Sequence, residues 1–390
     1  MLTAAQRAIV KSTVPLLETG GETLTTHFYK LLMAEYPAVQ PLFNQTHQAS
    51  GAQPRALAYG VLMYAKHIDH LEAIGELAGR IVNKHVSLQI EPRHYPMVGG
   101  CLLRAIREVL GAEVATDEVI EAWGAAYGQL AEILVGAEEQ AYAANAAGSG
   151  GWRGARSFRI ARKVRESAEI TSFYFAPVDG AAVLAHQPGQ YIGMRLVVDG
   201  QEQRRNYSLS ALSTGIDYRI SVKREPGGVV STHLHNHMNV GDVLDLFPPA
   251  GAFTLTAGDK PVVLISGGVG ITPTLAMLDA ALAADRPVHF IHCARNADAH
   301  AFRDVIDGLA LRHAGLQRFY CYDEEDDSAH AIGRLDQERL AQWLPESRDV
   351  DAYFLGPQPF MASVKRSLKA LGVPDAQARY EFFGPAAELQ

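Results

Sequence analysis

The chain has few cysteines, no surplus of positive charge and no long apolar run. Its three cysteines, Cys101, Cys293 and Cys321, form neither a paired framework nor a zinc spacing, which fits a reducing cytoplasm. The 35 Lys and Arg residues against 43 Asp and Glu give a formal net charge of -8, which disfavours nucleic acid and anionic membranes as partners. Apolar runs such as "PVVLIS" are too short to span a bilayer, and we find no charged-then-apolar export signal.

Three kinds of pattern follow one another along the chain. To about Tyr142, apolar residues recur at helical spacing. The period then shortens to two, with Pro and Gly turns between stretches such as "ITSFYF" and "YIGMRLVV". From Pro261 onward, short apolar runs alternate with helical patterns, as in a parallel sheet with crossover helices. We therefore predict an all-α domain over residues 1–147, a linker over 148–155, an antiparallel β-barrel over 156–257 and a Rossmann-like parallel α/β domain over 258–390.

A glycine-rich turn in "VVLISGGVGITPTLAML" follows an apolar run and precedes an amphipathic pattern. Glycines let the backbone approach a diphosphate, and a helix N-terminus offers free amide donors and a positive dipole. Thr272 and Pro273 suit the cap and the first turn of that helix. We predict that this strand, turn and helix bind a nucleotide.

Two stretches of the middle third, "RRNYSLS" and "GGVVS", together predict a flavin site. Arg205 can neutralise a diphosphate, Tyr207 can lie along a flavin, and Ser208 can hydrogen-bond near its reactive ring nitrogen. Ser231, after Gly228, is predicted to cap a helix whose free amides face the flavin phosphates.

Histidines follow this turn at every second position. In a strand, His233, His235 and His237 would share one face, as in a metal site. On the predicted helix, residues two apart do not face one another. We interpret these histidines as solvated or packing side chains.

From about Arg156 to its end, the chain resembles the ferredoxin-NADP reductase family. Three motifs in order carry the resemblance: Arg-x-Tyr-Ser, Gly-Gly-x-x-Ser and Gly-Gly-Val-Gly-x-Thr-Pro. It implies FAD binding by Tyr191, Arg205, Asn206, Tyr207, Ser208, Gly228, Ser231 and Phe383. It implies NAD(P) binding by Gly267, Gly268, Gly270, Ile271, Thr272, Pro273, Gly356 and Pro357. Leu355 stands where that family often has cysteine, a departure near the nicotinamide.

One histidine of the helical third is a candidate haem ligand. His85 lies on an apolar helix face, and Glu91-Pro92 is predicted to end that helix soon after. A lone histidine in such a place is usually a core residue. Two further residues favour a ligand: Glu138 falls on an apolar stripe, where an unpaired carboxylate would be costly, and Tyr95 lies shortly beyond His85.

Over essentially its whole length the chain resembles the bacterial flavohaemoglobins, in which a globin precedes such a reductase. The segments "NKHVSLQI", "EAWGAAYG", "GGWRGARSFRI", "PGQY", "VKREPGG" and "YEFFGP" carry this resemblance. It implies that His85 is the proximal iron ligand, with Tyr95 and Glu138 hydrogen-bonded around its far nitrogen. A carboxylate there gives the imidazole anionic character and favours oxygen chemistry over simple release. The resemblance also implies that Lys84 and Glu381 join globin and reductase near the flavin.

The same resemblance implies a distal side of the haem pocket. Tyr29 would donate a hydrogen bond to iron-bound oxygen, Phe43 would pack on the haem, and Gln53 and Leu57 would line the pocket. Gln53 and Leu57 share a helix face because they are four apart. Pro54 suits only the first turn of a helix, so the position of Gln53 stays open.

The resemblance implies nitric oxide dioxygenation, in which NAD(P)H reduces FAD, FAD reduces haem iron, and NO and O2 become nitrate. The residue types by themselves predict only that oxygen reacts at a haem that receives electrons from a flavin. Two other classes stay open: an oxygen carrier or sensor with its own reductase, and a flavin reductase serving external acceptors. The implied cofactors are haem b, FAD and NADH or NADPH. The expected partners are O2 and NO, with a lipid in the haem pocket as a further candidate, and we expect a cytoplasmic monomer.

The choice of nicotinamide depends on Arg295 in "HCARN". This arginine could meet a 2′-phosphate, but an exposed arginine is equally a surface residue. We prefer NADH.

Overall fold

A computed structural model of the chain describes residues 2–43, 48, 50–324, 327–384 and 389. The chain divides into two compact units, one built on residues 2–147 and one holding most of residues 148–383. In the part of the chain described, no helix is long and apolar enough to cross a membrane.

The first unit is helical. Its α-helices are α1 (Ala4–Ser12), α2 (Val14–Glu35), α3 (Ala52–Lys66), α4 (Gly75–Leu88), α5 (His94–Leu110) and α6 (Asp117–Ala147). Helix α2 packs against α3 and α5, while α6 packs against α1, α4 and α5. Phe28, Leu32 and Trp123 are buried in their shared core. The predicted all-α domain is confirmed.

Helix α4 ends earlier than its sequence predicts. Gln89 adopts a left-handed backbone conformation, with φ of 59°, and the helix therefore stops at Leu88, ahead of Pro92. The amide of Ile90 donates to the carbonyl of His85 at 3.0 Å, which closes the last turn. The prediction that Pro92 ends this helix is wrong.

The second unit contains two sheets, and the first is antiparallel. Its strands are β1 (Arg156–Arg165), β2 (Ile170–Pro177), β3 (Tyr191–Val198), β4 (Gln201–Ser208), β5 (Tyr218–Lys223) and β6 (Val243–Leu246), in the order β4-β3-β6-β1-β2-β5. Phe158, Phe173 and Phe175 fill its core. Helix α7 (Val229–Asn236) follows β5.

The antiparallel sheet is not closed into the predicted barrel by a continuous ladder. Between the edge strands β4 and β5, an isolated bridge links Leu209, just after β4, to Ile220 of β5. The antiparallel fold is confirmed, and its closure is partial because β4 ends at Ser208, before a ladder with β5 develops.

The second sheet is parallel. Its strands are β7 (Val262–Gly267), β8 (Val288–Ala294), β9 (Leu316–Tyr322), β10 (Ala331–Ile332), β11 (Asp351–Leu355) and β12 (Ala378–Tyr380), in the order β10-β9-β8-β7-β11-β12. The helices between them are α8 (Ile271–Ala283), α9 (Arg303–Arg312), α10 (Gln337–Trp343) and α11 (Gln358–Ala370). This confirms the predicted α/β fold. Strand order reverses at β7, which lies between β8 and β11, and ligands of such sheets bind at the carboxyl ends of the strands there.

Candidate functional site

Three helices of the first unit bring together a histidine, a carboxylate and a tyrosine. His85 lies on α4, Tyr95 on α5 and Glu138 on α6. His85 Nδ1 is 2.7 Å from Glu138 Oε1 and 3.2 Å from the Tyr95 hydroxyl. The Tyr95 hydroxyl donates to the same Glu138 oxygen at 2.5 Å. The carboxylate predicted on the apolar stripe of α6 thus has two polar partners.

Burial makes this triad electrostatically strong. Glu138 is 2 % exposed, so its partners are hardly screened by water. Burial, reinforced by the hydrogen bond to Glu138, raises the pKa of Tyr95, so its hydroxyl keeps its proton and acts as donor. A carboxylate on Nδ1 fixes the histidine tautomer and makes Nε2 a better ligand.

The imidazole of His85 fits a haem iron. Within the described residues, its side-chain hydrogen bonds all go to Nδ1, which leaves Nε2 to coordinate a metal. The histidine-to-carboxylate pairing is the arrangement that metal-ligating histidines usually show. Apolar side chains of the same unit, among them Phe43, Leu57 and Val61, suit a porphyrin.

Two tyrosines on α6 support the triad, and neither was predicted from the sequence. The Tyr127 hydroxyl donates to the backbone carbonyl of Tyr95 at 2.6 Å. The Tyr142 hydroxyl donates to the carbonyl of Ile90 at 2.8 Å, just beyond the end of α4. Tyr142 lies one turn after Glu138 on the same helix, a spacing that could have drawn attention to it.

The predicted distal residues lie on α2, α3 and the segment between them. Tyr29 is 6 % exposed, and the ring of Phe43 meets it edge to face at a centroid distance of 5.5 Å. Burial raises the pKa of Tyr29 to about 12, an effect that a hydrogen bond with Gln53 partly offsets. The Tyr29 hydroxyl is therefore a protonated donor at neutral pH.

The position of Gln53 is compatible with Pro54. Helix α3 begins at Ala52, so Pro54 lies in its first turn, where no backbone hydrogen bond is lost. The carbonyl of Pro54 accepts from Thr25 Oγ1 at 2.8 Å, which ties α3 to α2. Leu57 follows one turn later and packs against the core.

The predicted flavin residues lie mainly on β4. Arg205 and Tyr207 are two apart, so they share one face of the strand, while Ser208 is buried on the other. Burial lowers the pKa of the Arg205 guanidinium and raises that of the Tyr207 hydroxyl. A partly buried arginine beside an aromatic ring fits the diphosphate of a flavin nucleotide.

Other predicted flavin residues come from three further places. Tyr191 begins β3 and packs against Gly251, where an added Cβ would meet its ring at 2.9 Å. Asn206 lies between Arg205 and Tyr207 on β4. Phe383 follows β12, and its ring is 49 % exposed.

The helix after the Gly-Gly turn begins earlier than predicted. Helix α7 starts at Val229 with Gly228 as its N-cap, so Ser231 is not the cap. The Ser231 hydroxyl instead accepts from the amide of Glu225 at 3.2 Å, which folds the preceding turn back onto the helix. His235 packs inward, with Nε2 2.8 Å from the carbonyl oxygen of Val222.

The glycine turn after β7 is also capped differently from the prediction. Helix α8 starts at Ile271 with Gly270 before it, and Thr272 donates to the carbonyl of Val269 at 3.0 Å rather than capping the helix. Pro273 lies in the first turn, as predicted. Gly268 has φ of 55°, which favours glycine.

The structure brings the two predicted halves of the nucleotide site together. A Cβ added to Gly270 would lie 2.5 Å from the carbonyl oxygen of Leu355, so the turn packs directly on the end of β11. Gly356 and Pro357 follow there. Phe360, a residue not predicted from the sequence, packs so closely on Gly267 and Gly356 that a Cβ on either would meet its ring within 3.2 Å. The position of Phe360 shortly after Gly356-Pro357 could have suggested that it packs on this site.

Three predicted residues lie outside these clusters. Lys84 is on α4 and Glu381 follows β12, and their pairing stays a prediction. Arg295 follows β8, is 60 % exposed and forms an ion pair with Glu169.

Known domain families match all three parts of the chain. Residues 26–134 match the Globin family, residues 157–255 the Oxidoreductase FAD-binding domain and residues 264–366 the Oxidoreductase NAD-binding domain. The fold and the site thus define a globin fused to a flavin- and nicotinamide-dependent reductase.

Relatives along the full length carry the same combination. The chain is 69 % identical to a flavohemoprotein of Pseudomonas putida and 65 % identical to one of Pseudomonas aeruginosa, each over 100 % of both chains. A flavohemoglobin of Malassezia yamatoensis, solved with bound FAD and heme, superposes with a TM-score of 0.88 at 27 % identity, covering 98 % of this chain and 100 % of that one. The chain belongs to the flavohemoprotein family. It is an oxidoreductase whose cofactors are haem, FAD and NAD.

Proposed function

We propose that this protein is a nitric oxide dioxygenase that converts NO and O2 to nitrate at the expense of NADH. The observation that carries the proposal is the buried Glu138, hydrogen-bonded to His85 Nδ1 on the same chain as a reductase. Reversible oxygen storage does not need an electron-rich proximal ligand. The flavohem-like FAD/NAD-binding domain of a nitric oxide dioxygenase from Vibrio cholerae supports the proposal. It is 40 % identical to this chain and superposes with a TM-score of 0.56, and the match covers 60 % of this chain and 100 % of that domain.

When bound, the nicotinamide supplies a hydride, the flavin divides it into single electrons, and the haem iron is where oxygen and nitric oxide react. His85 would hold the iron through Nε2, and Glu138 would keep the proton of the imidazole on Nδ1. Tyr95 donates to Glu138 and holds its carboxylate in place. Tyr29 would donate its proton-bearing hydroxyl on the distal side, with Gln53 orienting it.

The second unit would feed electrons to the first. Arg205 would neutralise the flavin diphosphate, Tyr207 would lie along the ring, and Ser208 would approach its reactive nitrogen. Gly270 lets the dinucleotide turn lie against the end of β11, because any side chain there would strike Leu355. We further propose that the protein is a cytoplasmic monomer; the free thiols at the described cysteines support a reducing compartment.

The test of this function is nitric oxide consumption by the haem- and flavin-loaded protein in aerated buffer, with NADH present or withheld. Rapid NADH-dependent loss with nitrate as product is the expected result. Negligible loss from a protein that still binds oxygen would refute the proposal and favour an oxygen carrier or sensor with its own reductase.

Replacing Tyr29 with phenylalanine should speed oxygen dissociation from the haem by about fivefold, since one hydrogen bond contributes about 1 kcal/mol. Nitric oxide turnover should fall, while flavin reduction by NADH should stay unchanged. Tyr64→Phe is a matched control, because this buried tyrosine of the same unit donates to the backbone carbonyl of Ala126 at 2.8 Å. Unchanged oxygen dissociation in Tyr29→Phe, measured by stopped flow, would exclude the proposed distal role.

The preference for NADH can be tested at Arg295. Because Arg295 is already paired with Glu169, Arg295→Ala should change the KM for NADPH less than about twofold, and NADH should remain the better substrate. Glu169→Gln is the complementary variant, since it frees the arginine and should lower the KM for NADPH. A tenfold rise of that KM in Arg295→Ala would instead identify Arg295 as the 2′-phosphate ligand.

A further inference from the structure

Two cysteines lie side by side in the parallel sheet. Cys293 on β8 and Cys321 on β9 are Cα partners in the ladder. Partners in adjacent strands point to the same face, and neighbouring strands are about 4.8 Å apart. That spacing falls inside the Cα–Cα range of about 4.4–6.8 Å that disulfides require. Both thiols are free in the structure.

The two thiols belong to one hydrogen-bonded group. The Cys293 thiol donates to the sulfur of Cys321, and the Cys321 thiol donates to the carbonyl oxygen of Gly333 at 3.0 Å. Arg339 Nη1 lies 3.8 Å from the Cys321 sulfur. The hydrogen bond from Cys293, together with this guanidinium, holds the pKa of the Cys321 thiol below its usual value. Cys321 is therefore the better thiolate of the two.

Access to the pair is one-sided. Cys293 is partly exposed, whereas Cys321 is 1 % exposed. A reagent from solution therefore reacts first with Cys293, and Cys321 then reacts with the modified Cys293 sulfur. Cys101 provides an internal contrast: it is 2 % exposed on α5, and burial, reinforced by the Glu35 carboxylate, raises the pKa of its thiol.

We propose that Cys293 and Cys321 form a reversible intramolecular disulfide that changes dinucleotide binding at the adjacent turn. The oxidant is a low-molecular-weight disulfide of the glutathione class. The hydrogen bond to Cys321, reinforced by burial, raises the pKa of the Cys293 thiol, so the Cys321 thiolate takes the proton of Cys293 along that bond. The Cys293 sulfur then attacks the oxidant, forming a mixed disulfide and releasing one glutathione thiolate. Cys321 then loses that proton to solvent, and its thiolate attacks the Cys293 sulfur and releases the second glutathione thiolate. The two protein thiols lose two protons and two electrons, and glutathione disulfide becomes two thiols.

Strand register links this bridge to the dinucleotide turn. On its other side, Cys293 is the Cα partner of Gly267, the last residue of β7, and the glycine turn begins there. Because a spacing of about 4.8 Å is allowed but shorter than the usual disulfide Cα–Cα distance of about 5.5–6 Å, the bridge shifts the end of β8 and is readily reduced. The effect on binding rests on the proposed nucleotide site, but bridge formation does not.

The first experiment is a redox titration of the holoprotein in glutathione buffers, followed by alkylation and peptide mass spectrometry. The expected result is a peptide pair joined through Cys293 and Cys321 that reduction reverses, with Cys101 still alkylated. Cys293→Ser and Cys321→Ser should each abolish the bridge, while Cys101→Ser should leave it unchanged. Stable glutathionylation of Cys293 without a bridge, or only intermolecular links, would overturn the proposal.

The second experiment measures the anaerobic rate of flavin reduction against NADH concentration, in the reduced and the bridged protein. Bridging should shift the half-saturating NADH concentration severalfold in the wild type and not in Cys293→Ser after the same treatment. An unchanged concentration in a fully bridged protein would overturn the coupling to binding. Neither readout involves nitric oxide, so failure here is distinguishable from failure of the proposed dioxygenase activity.

Discussion

Replacing His85 with alanine is expected to abolish haem-dependent nitric oxide consumption. The variant loses the only haem-ligand candidate proposed on the proximal side and removes one of the two polar partners of the buried Glu138. Loss of an outer-shell partner of a metal ligand costs about 10- to 100-fold in affinity or activity, and loss of the ligand itself should cost more. The absorbance spectrum measures the loss of bound haem, and a nitric oxide electrode measures the loss of nitric oxide consumption.

The same variant separates the proposed function from its main rival. Anaerobic flavin reduction by NADH should be unchanged in His85→Ala, since the flavin residues belong to the other unit. His27→Ala is the matched control, because His27 is a half-buried histidine of the same unit that pairs with Glu108. If His85→Ala kept its main activity, the protein would be a flavin reductase for external acceptors with a helical domain of another role.

Replacing Gly270 with alanine is expected to have the second largest effect. The added Cβ would lie 2.5 Å from the carbonyl oxygen and 2.7 Å from the carbonyl carbon of Leu355, and backbone cannot swing away as a side chain can. Overpacking of this kind costs about 1–3 kcal/mol in the free energy of unfolding. The shift would also move the turn proposed to hold the dinucleotide, so flavin reduction should fall by at least about tenfold.

Gly308→Ala is the control for that experiment. Gly308 lies within α9, and a Cβ there would meet the flexible end of Arg312 at 3.4 Å. Because alanine is the better helix former, this variant should be neutral or stabilised by up to about 1 kcal/mol. Urea unfolding curves and stopped-flow flavin reduction compare the two variants, and equal behaviour would show that the close approach of Gly270 to β11 is unimportant.

Several features of the site were predictable because their signals are local. The run "VVLISGGVG" predicts a buried strand and a tight turn, and the structure shows β7 followed by Gly268 with φ of 55°. Glu138 interrupts an apolar stripe, which predicts a buried carboxylate with a polar partner, and it is 2 % exposed with His85 Nδ1 at 2.7 Å. In both cases the period or the conformational demand of a few neighbouring residues carries the information.

Helix boundaries were less predictable. Ser231 and Thr272 are good cap residues by type, yet α7 and α8 begin before them, after Gly228 and Gly270. A cap is set by where the backbone leaves helical dihedrals, and here the preceding turns decide that position. The partial closure of the antiparallel sheet could not be predicted from the sequence either, because it depends on where β4 ends relative to β5.

The sequence by itself determined the kinds of elements, their order and the chemical types of the residues at their ends, because helical and strand periods and glycine conformations are local properties. Only the tertiary structure decided which distant residues meet. Glu138 reaches His85 across 53 positions, Gly270 packs on Leu355, and Cys293 lies beside Cys321. These contacts follow from helix packing and strand register. The burial of apolar surface drives both, but it is non-directional, so a local sequence pattern does not reveal which residues will be in contact.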